Sequence, residues 1–430
     1  MEKTVQKGIR KAKRKFEKNL AKQAKKKPKD FYMYLNSKSS NRTRVGPLDN
    51  GDTVTSDDGE MANLLNDFFS SVFTQEDTTS IPPPAIVFDK KLLSEFSVSQ
   101  SQGAKKLKAL KIGSAPGPDK LSAKLLNILS EALSAPIAMI FNKSIAEGKA
   151  PPDWKCANIT SIFKKGSKGD PGNYRPISLT SIVCKVFESF MKDLLLDHLL
   201  SNSILRLSQH GFLPGKSCVT NLIEYLEALL KQLDNGHAVD VIYLDFAKAF
   251  DKVPHQRLLV KLKAIGVSGM FLSWIEDWLT DRVQRVVLNG KCSKWAKVLS
   301  GVPQGSVLGP ILFLVFINDI DCALDATCTI LFKFADDSKL LQPAAGELDR
   351  EKLQDAVNAL QKWCMDWGMM LNLDKCKVMH CGHNNPGYSY VIDGYAPAGH
   401  VIQATEQEKA ITQENHRYNA QQQPRRETRC

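Results

Sequence analysis

Three carboxylates stand where an apolar sequence would ordinarily avoid them. Asp245 closes the run AVDVIYLD, and Asp336 and Asp337 close the run CTILFKFA. Such runs are expected to be buried strands, whose interior favours β-branched and aromatic groups. If the two strands are neighbours, the three acids converge at one edge of a sheet. Crowded, desolvated carboxylates are costly there unless a divalent cation offsets them. Mg²⁺ shares its oxygen ligands between one or two carboxylates and substrate phosphates. Two such ions about 3.5–4 Å apart activate an attacking hydroxyl and stabilise the leaving oxygen of an in-line displacement. The chemistry within reach is therefore phosphoryl transfer. Taken alone, the Asp-Asp pair is better explained by a hairpin turn, where Asp is common.

The elements that must position these acids are legible on either side of them. HAVDVIYLDF (237–246) and CTILFKF (328–334) read as strands. In GKSCVTNLIEYLEALLKQLDNG, Leu222, Leu226, Leu229, Leu230 and Leu233 recur at helical spacing, and Asn235-Gly236 supplies a stop. In ELDREKLQDAVNALQKWCMDWG the stripe is Leu353, Val357, Leu360, Cys364 and Trp367, again ending at a glycine. KCKVMH has the alternation of a strand. Cys376, His380, Cys381 and His383 lie around it, but their spacing fits no common structural zinc pattern, and no metal is assigned there.

Composition bounds the rest. The 430 residues carry a formal charge of +12, and the first thirty hold thirteen Lys and Arg against three acids. That basic arm is expected to be a solvated helix or a disordered segment; its other reading is a phosphate-binding contact to nucleic acid. No apolar core follows it, as a signal peptide would require. The run VLGPILFLVFI (307–317) is too short to span a bilayer and holds a Gly-Pro pair, so it is expected in the core. Ten scattered cysteines read as reduced, mostly buried thiols. An intracellular protein without membrane contact is expected, with the runs KAKRK and KKKPK giving it access to the nucleus as well as the cytoplasm. Gly-Lys-Ser in HGFLPGKS lacks the earlier glycine and the upstream strand of a phosphate loop, and GxGxxG is absent, so NTPase and dinucleotide classes are excluded.

Six blocks occur in one order with compact spacing: NYRPISLTSIVCKVFE, QHGFLPGKSCVTNL, VIYLDFAKAFDKVPH, GVPQGSVLGPILFLVFINDI, KFADDSKL and WGMMLNLDKCKVM. Together they resemble the reverse transcriptases of non-LTR retrotransposons, most closely the jockey-like LINE group, over about residues 30–395. The resemblance implies an α+β fold of the right-hand polymerase type, with fingers and palm and an antiparallel palm sheet backed by helices. It also implies an RNA-directed DNA polymerase that copies an RNA template from the 3′-hydroxyl of a DNA primer, using dNTPs and Mg²⁺, with Mn²⁺ as an alternative. The expected segments are a basic arm at 1–30, a linker and N-terminal extension at 31–100, fingers and upstream palm elements at 101–236, the palm at 237–395 and a tail at 396–430.

Residue by residue, the match makes Asp245, Asp336 and Asp337 resemble the catalytic metal ligands, with the Phe246 carbonyl as a further ligand. Phe250 resembles the steric gate, a ring under the sugar that leaves no room for a 2′-hydroxyl. Arg175 resembles the arginine that grips the triphosphate, and Lys164 or Lys165 the lysine beside it; Arg offers phosphate a planar fork and Lys a point charge. Gln304 and Gly305 resemble the block that packs on the nascent base pair. Lys375 resembles the lysine that protonates departing pyrophosphate. From the residues alone, these remain an ordinary buried Phe, a solvated lysine turn, turn-forming glycines and a surface lysine. APGPDK and HGFLPGKS match blocks that contact RNA or brace the fingers, and are otherwise Gly/Pro turns.

The sequence departs from the family at both ends. Relatives carry an endonuclease before the polymerase, to be supplied elsewhere here, and a helical thumb after it, where this chain turns to a tail with six Gln in thirty residues. That tail is expected to be disordered. An inactive, truncated remnant that binds RNA is the alternative function, and a group II intron maturase a third for which no segment speaks.

Overall fold

The structure is a computed structural model that describes residues 2–24, 28, 34, 45–51, 53–88, 92–394 and 399–401. Apart from 399–401, the expected tail lies outside the described residues. The chain packs as two compact units, neither contiguous in sequence. The smaller gathers 1–68, 160–176 and 286–294; the larger gathers 69–159, 177–285 and 295–430.

In the smaller unit, the basic arm is a helix over Glu2–Gln23. On it Lys11, Lys13, Arg14, Lys15, Lys18 and Lys22 are exposed, and two-residue strands Leu48–Asp49 and Val54–Thr55 pair antiparallel further along. The larger unit is a mixed α+β body that holds a five-stranded sheet. Its strands are β1 (Val239–Leu244), β2 (Ile330–Phe334), β3 (Asp337–Pro343), β4 (Lys377–Cys381) and β5 (Gly399–Val401). Their order in space is β5-β4-β1-β3-β2. All neighbours are antiparallel except β4 and β5. β1 is flanked on both sides, which is why its run is apolar at nearly every position.

Helices bury their apolar stripes around this sheet: α1 (Ile182–Ser201), α2 (Cys218–Asp234), α3 (His255–Ala264), α4 (Gly269–Leu279), α5 (Gly309–Phe316) and α6 (Glu347–Trp367). An aromatic chain ties them together, with Phe187 of α1 4.8 Å from Trp274 of α4, and Trp274 6.0 Å from Trp278. The run expected in the core is α5, and every residue of it except Pro310 is buried. No helix among the described residues is long and apolar enough to cross a membrane.

α6 turns its whole expected stripe inward and stops at Gly368, which adopts the left-handed conformation at φ 70°. α2 keeps most of its expected stripe, with Leu229 buried and Leu226 and Leu233 packed on the same cluster. Its start is corrected: Asn221 and Tyr225 are buried, while Leu222 is 47% exposed. The helix is turned this way because Tyr225 sits edge-on to Phe332 of β2 at 5.7 Å and Asn221 Nδ2 donates to the Lys333 carbonyl at 3.2 Å. The thiols also need correction. Of the nine cysteines among the described residues, all are free; Cys184, Cys364, Cys376 and Cys381 are buried, but Cys218, Cys292 and Cys328 are exposed.

Candidate active site

The strands carrying the acids are not adjacent, because β3 lies between β1 and β2. Asp337 does not end a strand; it opens β3, pairing with Phe334 across a two-residue turn made of Ala335 and Asp336. β3 in turn pairs with β1, Ser338 facing Leu244. Continuing that register by one residue sets Asp337 level with Asp245 at one end of the β1–β3 pair. The turn reading holds for Ala335 and Asp336. Asp336 and Asp245 are half-buried and Asp337 is exposed.

The turn has an unusual occupant. Ala335 is its first residue, with φ 54°. A positive φ at a hairpin tip favours glycine and costs an L-residue about 1–2 kcal/mol.

The segment after α6 returns to the end of β1. Asn372 N donates to the Asp245 carbonyl at 2.7 Å, and Ala247 N to the Met370 carbonyl at 2.8 Å. A tight turn at Leu373–Lys375 then delivers Lys375, whose Nζ is ion-paired with Asp245 Oδ2. The structure thus brings Lys375 to Asp245. Phe246 is buried, edge-on to Trp363 at 6.4 Å. Phe250 stacks on Phe313 at 4.5 Å and meets Phe212 edge-on at 6.1 Å, so its ring is held from both sides. Burial lowers the Lys339 ammonium from its ordinary value, with the Asp337 charge opposing.

Gln304 and Gly305 sit on a loop fixed by its backbone. The Gln304 carbonyl accepts from Ser178 N at 2.7 Å, and the Gln304 side chain lies 3.4 Å from both carboxylate oxygens of Asp251. Gly305 has φ 112°, and a Cβ there would meet the Ser178 carbonyl at 2.6 Å. Gly305→Ala is expected to lower stability by more than about 1 kcal/mol, read as a drop in denaturant midpoint; an unchanged midpoint would contradict the close approach. Gly117 of APGPDK is pinned likewise, since a Cβ there would meet the Thr180–Ser181 backbone at 2.6 Å.

Lys164, Lys165 and Arg175 belong to the smaller unit, on either side of an ordered turn, and all three are exposed. There Lys164 N donates to the Asn173 carbonyl at 2.9 Å, Gly172 N to Asp170 Oδ1 at 2.7 Å, and the Tyr174 hydroxyl to the Lys168 carbonyl at 2.7 Å.

Among the described residues, no group of three or more His, Cys, Asp or Glu side chains is gathered to hold a metal ion. The cysteine-histidine cluster is otherwise engaged: His380 Nδ1 pairs with buried Asp240 at 2.7 Å, and burial raises the Cys376 thiol. Asp240 also accepts from Asn385 at 2.8 Å and from the Tyr390 hydroxyl at 2.6 Å, which ties the segment after β4 to β1. Sequence reasoning missed Asp240, Asp251 and Gln209. The last lies inside the matched block QHGFLPGKS, so the block was visible and the side chain was not.

A sheet antiparallel but for one pair, with helices packed around it and the Ala335–Asp336 hairpin at the end of β1–β3, defines a mixed α+β protein. The profile of the family described as "Reverse transcriptase (RNA-dependent DNA polymerase)" matches residues 162–420. The chain belongs to that family. It is 31% identical over 277 residues to "Probable RNA-directed DNA polymerase from transposon BS" of Drosophila melanogaster, covering 63% of this chain and 30% of that protein. To the RNA-directed DNA polymerase from mobile element jockey of the same fly it is 30% identical over 274 residues, 62% of this chain and 30% of that one. To the Pol polyprotein from type-1 retrotransposable element R1 of Bradysia coprophila it is 28% identical over 266 residues, covering 60% and 25%. The chain thus spans about 30% of the length of the fly relatives it matches.

Proposed function

We propose that this chain is an RNA-directed DNA polymerase of the right-hand type, the β1–β5 sheet serving as its palm, and that it extends a DNA 3′-hydroxyl on an RNA template. The observation that carries the reading is the register that sets Asp337 against Asp245 beside the Ala335-Asp336 turn. Family membership supplies its context.

The donors suit a hard divalent ion. They are carboxylate oxygens, and the cation now against Asp245 is the Lys375 ammonium. An incomplete protein cage also fits Mg²⁺, which takes one or two carboxylates and leaves its other positions to water and substrate phosphate. Asp245, Asp336 and Asp337, with the Phe246 carbonyl, would hold the ions. When bound they would activate the attacking hydroxyl and neutralise charge on the leaving oxygen.

The chain's own residues do the rest. Lys375 carries a proton at Nζ that it can hand to departing pyrophosphate, once its pairing to Asp245 is exchanged for phosphate. Arg175, with Lys164 or Lys165, grips triphosphate oxygens. Gln304 and Gly305 offer a fixed surface for the new base pair. Phe250, held between Phe212 and Phe313, cannot swing away from a 2′-hydroxyl. Phe250→Val is expected to weaken selection of dNTP over rNTP by about 10–100-fold with little loss of dNTP insertion. Equal rNTP rejection by variant and wild type would remove the gate assignment.

The test is extension of a labelled DNA primer on RNA with Mg²⁺ and dNTPs, beside a control lacking the template. Template-directed product is expected. Salt-sensitive RNA binding without extension would favour the RNA-binding remnant, since phosphate neutralisation is salt-dependent in either case.

A further inference from the structure

We propose that Gln209 is a positioning residue for the carboxylate hairpin, its side-chain amide holding the Ala335 peptide in the left-handed turn from which Asp336 and Asp337 project. Its functional consequence rests on the polymerase reading above.

Gln209 is 2% exposed and spends its polar atoms on one neighbour and one turn. Its Oε1 accepts from Ala335 N at 2.9 Å and from Gly211 N at 2.7 Å, and its Nε2 lies 3.4 Å from the Ala335 carbonyl. Both backbone groups of the turn's first residue are therefore taken by a single side chain, where a hairpin tip would normally leave them to water. The backbone around Gln209 grips the same hairpin: Lys333 N donates to the Ser208 carbonyl at 2.8 Å and His210 N to the Lys333 carbonyl at 2.9 Å. Gly211 permits this approach, since a Cβ there would lie 2.9 Å from the Ala335 Cα. The side chain of Lys333 is itself buried and paired with Asp321, so the outer strand cannot slide.

The geometry explains how alanine occupies a position that favours glycine. Without the clamp, Ala335 can relax toward negative φ, and the following two residues turn with it. Misplacement of a reacting group by about 1 Å costs on the order of 100-fold in rate.

Three readouts on the full chain separate positioning from simple support. Gln209→Met keeps the side-chain length and removes the hydrogen bonds. It is expected to speed amide exchange in a 333–339 peptide, leave the melting temperature of the whole within a few degrees, and lower kcat for dNTP insertion about 10–100-fold with KM little changed. Adding Ala335→Gly, which removes the conformational penalty, should restore part of kcat. Unchanged exchange at 333–339, or faster exchange with unchanged kcat, overturns the proposal. If Gln209→Met does not fold, Gln209→Asn, one methylene shorter, is read by the same criteria. If the wild type extends no primer, the polymerase reading fails while amide exchange and Mn²⁺ binding followed by electron paramagnetic resonance still decide the clamp: faster exchange with weakened Mn²⁺ binding upholds it, and neither change overturns it.

Discussion

Replacing Asp245 with Asn is expected to slow primer extension by about 10³-fold or more, because several kcal/mol of charge stabilisation are lost and each 1.36 kcal/mol is tenfold in rate. The fold should survive. The Asp245–Lys375 pair is partly exposed, with the lysine side chain 41% accessible, and such a pair contributes only about 0–1 kcal/mol. Removing one of several crowded carboxylates also relieves repulsion. Single-turnover insertion and thermal melting of the variant read the two effects separately. A rate within tenfold of wild type would remove Asp245 from the catalytic set, and a collapsed melting transition would make it a structural residue.

The second large effect lies away from the acids. Lys261 of α3 is buried against Asp319, 2.6 Å from its Oδ1, and also donates to the Phe316 carbonyl at 2.6 Å. Its ammonium lies 3.5 Å from the Trp367 ring centroid and 4.7 Å from those of Phe316 and Trp363. Trp363 Nε1 donates to the same Asp319 oxygen at 3.0 Å. Lys261→Ala strands a buried carboxylate and is expected to cost about 3–5 kcal/mol. The double variant Lys261→Met with Asp319→Asn should recover most of that, since a buried pair replaced by neutral groups is often no less stable. Chemical denaturation of the three proteins measures this. A single variant within 1 kcal/mol of wild type, or a double variant no better than the single, would contradict it.

The same lysine gives a pH dependence. Burial lowers its pKa from the ordinary 10.5, and Asp319 pulls it back upward. A lowered folded-state pKa means that the unfolded chain binds more protons between the folded value and 10.5. Stability contributed through Lys261 therefore rises with pH across that window. The double variant should lose that rise.

What the sequence made legible was local. The stripe of α6 and the apolar runs of β1 and β2 follow from periodicity, because one face or both faces of each must be buried. The stripe of α2 misled only at its start, where Leu222 continued it, while the buried positions there are Asn221 and Tyr225, held by groups on β2 far away in the chain. The place of Asp337 was hidden for a similar reason. β3 begins with Asp-Ser-Lys, no strand signal, and it is strand by virtue of pairing on both sides. Ala335 gives no sign of positive φ, and the clamp that permits it comes from Gln209, 126 residues earlier. The three acids could be named from the ends of two apolar runs and from the family resemblance. Their mutual register needed the sheet.

The most direct test of the account is single-turnover insertion of one dNTP onto a DNA primer paired with RNA, titrated with Mg²⁺, by wild type, Asp336→Asn and Asp337→Asn. The account predicts insertion that requires Mg²⁺ and is lost in both variants while primer-template binding persists. Insertion that continues in either variant at near the wild-type rate and with the same Mg²⁺ dependence would contradict it.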